Sequence, residues 1–151
     1  MRRLATVTLG VSFGACAVLG SIASAAPGAS YQMGETAAIP VLNYNGAATT
    51  VTEITVADWY CDGRLESCTV SVRFAHRGTQ STDPATISYS LSFADGRLIP
   101  ATTEPTVGYL YDGTTATGTA SFPLITEPSP PTEVVLRGEV SGNVLGTWVV
   151  P

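Results

Sequence analysis

Trp59-Tyr60-Cys61-Asp62-Gly63-Arg64-Leu65-Glu66-Ser67-Cys68-Thr69-Val70-Ser71-Val72-Arg73-Phe74 is the stretch on which the fold is decided. Val70, Val72 and Phe74 alternate with Ser71 and Arg73, the period of a half-buried strand. Ahead of the cysteines, the run Val51 to Tyr60 is rich in β-branched and aromatic residues, with Ile54 and Val56 on one face. Trp59 breaks that parity, which predicts a bulge near Ala57 or Asp58. Asp62-Gly63 is a turn signal, since glycine accepts the positive φ of a tight turn. Cys61 and Cys68 flank the turn, so the stretch reads as a β-hairpin stapled across its neck. Closing that short loop is worth about 2–2.5 kcal/mol in the chain-entropy model: a staple, not the whole fold.

Working outward to the start of the chain, Met1-Arg2-Arg3 precedes an apolar, small-residue run from Leu4 to Ile22, and Ala23-Ser24-Ala25 has the small-residue pattern of a cleavage site. This is the pattern of a secretory signal peptide over residues 1–25, cut after Ala25. Two alternatives accompany it. The apolar run is long enough to stay in a bilayer as an anchor. Phe13-Gly14-Ala15-Cys16 partly matches a lipidation box, which would tether the protein at Cys16 as a surface lipoprotein, although Phe13 stands where an aliphatic residue is usual.

Beyond Ala25 the chain keeps five arginines, no lysine and twelve carboxylates. Such acidity argues against nucleic acid or an anionic membrane as partner. Cys61 and Cys68 are then the two cysteines left, and in an exported chain they read as a disulfide. The length fits one domain, assigned to residues 36–151 after a flexible leader over 26–35.

Turn signals punctuate this domain. Thr36 to Leu42 reads as a strand that Pro40 confines to an edge, and Asn45-Gly46 as a turn. Thr86 to Phe93 alternates Ile87, Tyr89, Leu91 and Phe93 with three serines. Short strands are expected over Arg97–Ile99, Val107–Tyr111 and Thr117–Thr126, the last with Ala120, Phe122 and Leu124 on one face. Val134, Leu136 and Val140 are assigned to one face of a further strand, and Leu145 to Val150 to a final one around Trp148. Eight or so short strands without a helical pattern point to an all-β, antiparallel two-sheet sandwich of immunoglobulin-like architecture, without the Cys…Trp…Cys spacing of antibody domains.

Within the second half, Phe93-Ala94-Asp95-Gly96, Gly113, Gly118, Phe122, Pro130-Pro131-Thr132, Val134-Val135 and Leu145-x-x-Trp148 together resemble the small secreted immunoprotective extracellular antigens of mycobacteria. The resemblance spans roughly Ile54 to Pro151. It implies a signal peptide, a compact immunoglobulin-like β-sandwich and an extracellular location, and it brings no catalytic residues. The Cys61/Cys68 pair departs from that family's pattern.

Chemistry-bearing constellations are few. His76 is the lone histidine, and beside Arg77-Gly78 it reads as a surface-loop residue. G-x-S-x-G, S-x-x-K and calcium-loop patterns do not occur. Asp58, Asp62 and Glu66 cluster at the hairpin, and Asp62, Asp95 and Asp112 each precede glycine, which turn formation explains. Asp-Gly-Arg-Leu occurs at 62–65 and again at 95–98, which reads as two turns with a solvated Arg and an inward Leu. The expectation is a secreted, non-enzymatic module without cofactor or metal, binding a protein or cell-envelope component. Arg64 and Leu65 form the possible recognition loop, and Tyr60, Tyr89, Tyr109, Tyr111, Trp59 and Trp148 are the pool for an aromatic patch. The alternatives are an envelope structural protein, an enzyme with a carboxylate site, and a protease-inhibitor-like loop centred on Arg64.

Overall fold

The strands follow one another as β1 (Ser30–Gln32), β2 (Thr36–Leu42), β3 (Ala48–Asp62), β4 (Ser67–Gly78), β5 (Ile87–Ser92), β6 (Leu98–Pro100), β7 (Thr115–Pro123), β8 (Glu133–Gly138) and β9 (Val144–Val149). They come from a computed structural model that describes residues 28–42, 48–124 and 129–151. The segment expected to be a signal peptide, with its expected cut after Ala25, the alternative lipidation site Cys16 and the expected turn at Asn45-Gly46 lie outside the described residues. One sheet has four strands in the order β2-β3-β4-β7, and the other has five in the order β1-β9-β8-β5-β6. All pairs are antiparallel except β1 with β9. The result is the expected all-β sandwich.

Period-two alternation builds the core between the sheets. Val70, Val72 and Phe74 of β4 and Ala120 and Phe122 of β7 face Tyr89 and Leu91 of β5, Val134 and Leu136 of β8, and Trp148 of β9, all buried. Fully burying an aliphatic or aromatic side chain of this kind is worth about 1.5–3 kcal/mol, so this seam is the main source of stability. In β3 the parity break at Trp59 is resolved by a bulge: pairing shifts between Ala57 and Tyr60, with Asp58 at φ 57°. The extra residue returns Trp59 to the core side, where its ring lies 6.4 Å from that of Phe122.

Several expectations are corrected. The leader assigned to 26–35 contains β1, whose Tyr31 stacks on Trp148 at 5.2 Å between ring centroids. A three-residue strand carries too little pattern to be seen, and its partner lies at the other end of the domain. Val107–Tyr111 is not a strand: Leu110 makes a single bridge to Thr82 and is buried, between two exposed tyrosines. Val140 is not on the face of Val134 and Leu136, because β8 ends at Gly138 and Val140 sits exposed in the following turn. Leu124 lies just past the end of β7 and is half-buried. The positive φ at the hairpin tip falls on Glu66 (50°), not on Gly63, whereas Gly96 and Gly113 do adopt it at 83° and 74°.

Candidate functional site

Cys61 and Cys68 are direct cross-strand partners, with Cα atoms 4.0 Å apart, and they are bonded through their sulfurs. The tip beyond the bridge is further fixed. Asp62 Oδ1 accepts the Arg64 backbone N–H at 2.8 Å, and the Leu124 N–H donates to the Glu66 carbonyl at 2.8 Å. Arg64 is exposed, and Leu65 projects with 72 % of its surface accessible. Tyr60, on β3 just before the bridge, is 63 % accessible. The hairpin thus presents Arg64 and Leu65 on a closed, hydrogen-bonded loop and Tyr60 on the strand leading into it.

The second Asp-Gly-Arg-Leu copy shows what the motif does locally. Asp95 Oδ1 accepts the Arg97 N–H at 3.0 Å, the same aspartate turn as Asp62 with Arg64. The Arg97 guanidinium adds a 2.7 Å ion pair to Asp95 and stacks over Phe93. The backbone N–H of Arg97, and then its side chain, hold the Asp95 carboxyl below its ordinary value. Leu65 and Leu98, expected to point inward, are both exposed: Leu65 lies in the turn ahead of Ser67, and Leu98 opens β6 in register with Ser92, on the face opposite Leu91 and Phe93.

His76 is not on a surface loop. It continues the inward parity of Val70, Val72 and Phe74 and is buried. Nε2 lies 2.6 Å from the Gln80 carbonyl, which can only accept, so in the neutral ring Nε2 carries the hydrogen and Nδ1 accepts from the Thr52 hydroxyl at 2.9 Å. This pins the loop after β4 onto the sheet. The parity was the signal for it, and Arg77-Gly78 drew the reading toward a loop.

The same end of the sandwich carries exposed aromatics. Tyr109 and Tyr111 flank buried Leu110, and the loop is held by Gly113 N–H to the His76 carbonyl and Gly78 N–H to Asp112 Oδ1, each at 2.9 Å. The aromatic pool therefore divides three ways. Tyr89 and Trp148 are core, Trp59 is half-buried, and Tyr60 is separated from Tyr109 and Tyr111 by the length of β3 and β4.

At the stapled end, a cleft of about 720 Å³ opens between the sheets. Its walls include Trp59, the Cys61–Cys68 bridge, Leu124, Pro130, Pro131 and Val150. Sequence reasoning missed it because its walls come from four separate stretches of chain. Among the described residues no three His, Cys, Asp or Glu side chains converge as a metal site would require, and no helix is long and apolar enough to cross a membrane.

A two-sheet sandwich with Greek-key-like sheet changes and a first strand laid parallel to the last defines the class: an immunoglobulin-like β-sandwich. The same fold occurs in MPT63, a secreted protein from Mycobacterium tuberculosis, whose crystal structure superimposes with a TM-score of 0.55 at 18 % identity, over 83 % of this chain and 100 % of that one. No family model matches the chain, and no curated protein matches it. The resemblance drawn from the second half of the sequence thus holds at the level of the fold.

Proposed function

We propose that the protein is an exported, non-catalytic binding module that engages a protein or cell-envelope component through the tip of its stapled hairpin. The observation that carries this reading is the exposure of Leu65 on a loop closed by Cys61–Cys68 and fastened by the Asp62–Arg64 and Glu66–Leu124 hydrogen bonds, with exposed Tyr60 on the strand just before the bridge. Apolar side chains held in advance on a rigid loop bind with little ordering cost. Export is supported by the charged, apolar and small-residue regions of 1–25 and by the fold shared with a secreted protein. Cleavage after Ala25 makes it a free extracellular module; lipidation at Cys16 would leave the same hairpin tethered at the surface.

The test is retention of purified protein on envelope preparations and on culture-fluid proteins of the producing organism. Replacing Tyr60 and Leu65 together by serine is expected to weaken retention by about tenfold or more, the loss of a small hot spot. Absence of saturable retention, or retention unchanged in the double variant, rejects this reading. Intact mass decides the processing: a chain starting at Ala26 supports free export, and an acylated chain starting at Cys16 supports the tethered form.

A further inference from the structure

In an Asp-Gly pair the carboxyl can close on the next amide nitrogen, because glycine brings no side chain to obstruct it. Three such pairs lie among the described residues: Asp62-Gly63, Asp95-Gly96 and Asp112-Gly113. We propose that Asp62 is a self-modification site, converting to isoaspartate through a succinimide formed with the Gly63 nitrogen, while the fold protects the other two pairs. The inference goes beyond the tip-binding reading and does not depend on it. In the first step the Gly63 nitrogen bonds to Asp62 Cγ, and its hydrogen leaves with the carboxyl hydroxyl as water. Water then adds at the ring carbonyl that was the main-chain carbonyl of Asp62, breaking its bond to that nitrogen. The backbone now runs through Cγ, longer by a methylene, and the mass is unchanged.

Hydrogen bonds separate the three pairs. At Asp95 the Gly96 N–H donates to the Phe93 carbonyl at 2.9 Å, and the Arg97 guanidinium grips the carboxylate at 2.7 Å. At Asp112 the Gly113 N–H donates to the His76 carbonyl at 2.9 Å, and Oδ1 accepts the Gly78 N–H at 2.9 Å. Attack at either pair must first free the glycine N–H and dislodge the carboxyl. Asp62 shares the aspartate turn of Asp95, its Oδ1 accepting the Arg64 N–H at 2.8 Å, which folds the carboxyl back across Gly63. There the resemblance ends. Among the described residues the Gly63 N–H has no hydrogen-bond partner and the Asp62 carboxylate no ion pair, and Gly63 is exposed with open space around it. Since Asp-Gly-Arg-Leu is identical at 62–65 and 95–98, the fold makes the difference and not the local sequence. The Cys61–Cys68 bridge confines the added methylene to a closed loop, so the tip that displays Arg64 and Leu65 is reshaped.

The experiment ages the purified, disulfide-intact protein in warm, mildly acidic buffer, where carboxyls are protonated more often than at neutral pH. Isoaspartate is counted by enzymatic methylation and assigned to its position by peptide fragmentation. Conversion of Asn45-Gly46 is told apart by mass, because it also exchanges nitrogen for oxygen. Isoaspartate is expected to form at 62 faster than at 95 or 112 by about tenfold or more, the effect of the hydrogen bonds those sites must give up. In the reduced chain in urea, the rates at 62 and 95 should converge. Gly63 does not have a positive φ, and a Cβ added there meets nothing within 4 Å. Gly63→Ala is therefore expected to keep the fold and to slow the reaction at 62 to the level of 95 or below. Equal rates at the three sites of the folded protein, or no isoaspartate at 62, overturn the proposal. A preference for 62 over 95 that persists in urea, or an unchanged rate in Gly63→Ala, overturns it as well.

Discussion

The indole N–H of Trp148 donates to the backbone carbonyl of Glu35 at 3.0 Å, joining residues 113 positions apart. Glu35 sits in the turn between β1 and β2, so this bond anchors the start of the domain to its largest fully buried side chain. Tyr31 covers the same indole by stacking. Tyr31→Ala is expected to cost about 2–4 kcal/mol, from lost burial and ring contact. Trp148→Phe should cost about 1–3 kcal/mol, since it orphans the Glu35 carbonyl and leaves a void. Urea unfolding measures both. A neutral Tyr31→Ala would mean that β1 does not dock.

His76 gives a local expectation. His76→Leu puts an apolar residue at the inward position but leaves the Gln80 carbonyl without its partner and the Thr52 hydroxyl with only the longer 3.4 Å bond to Thr82. A loss of about 1–3 kcal/mol is expected, with faster amide exchange confined mainly to residues 77–82. Unchanged exchange there would show that the imidazole does not hold the loop.

Tyr89 runs the other way. Its hydroxyl is buried with no hydrogen-bond partner among the described residues, and burial, followed by the nearby Glu104 charge, pushes its pKa well above the ordinary 10.0. Tyr89→Phe should therefore stabilise the protein by about 1 kcal/mol at neutral pH. The folded state resists ionising this phenol, so the unfolded chain gives up the proton first. The contribution of the phenol is full below pH 10.0 and falls as pH rises beyond it. The advantage of Tyr89→Phe should grow above that pH, by up to about 1.4 kcal/mol per unit. Melting curves at neutral and alkaline pH decide the sign.

Reducing Cys61–Cys68 should lower stability by about 2–2.5 kcal/mol without unfolding the sandwich, because the main core seam lies outside the hairpin tip. Limited proteolysis with trypsin reads the tip directly. Cleavage after Arg64 is expected to be slow when oxidised and fast when reduced. Stoichiometric inhibition of trypsin by the oxidised form would instead favour the inhibitor-like alternative, and rapid cleavage of that form without inhibition would remove it.

What the sequence made legible is what local alternation encodes. Ile87, Tyr89 and Leu91 against serines gave β5, and the misplaced parity of Trp59 predicted a bulge near Ala57 or Asp58, where the pairing does shift. Tyr31 escaped because three residues have no period and their partner strand is remote. Tyr109 and Tyr111 escaped for a related reason: alternation around Leu110 imitates a strand, yet the segment finds only one bridge. At the hairpin tip the solvated Arg64 was readable from turn chemistry, whereas Leu65, expected inward, is exposed. The cleft was not readable, since Trp59, Leu124, Pro131 and Val150 meet only when two sheets close over one another.

The side-by-side placement of β1 and β9 also bears on the order of events in making the molecule. Tyr31 and Trp148 cannot find each other until nearly the whole domain has been supplied, and contacts of such sequence separation form late and slowly. Local pairs such as β3 with β4 form from neighbouring stretches of chain, whereas the lock between the first strand and the last closes at the end.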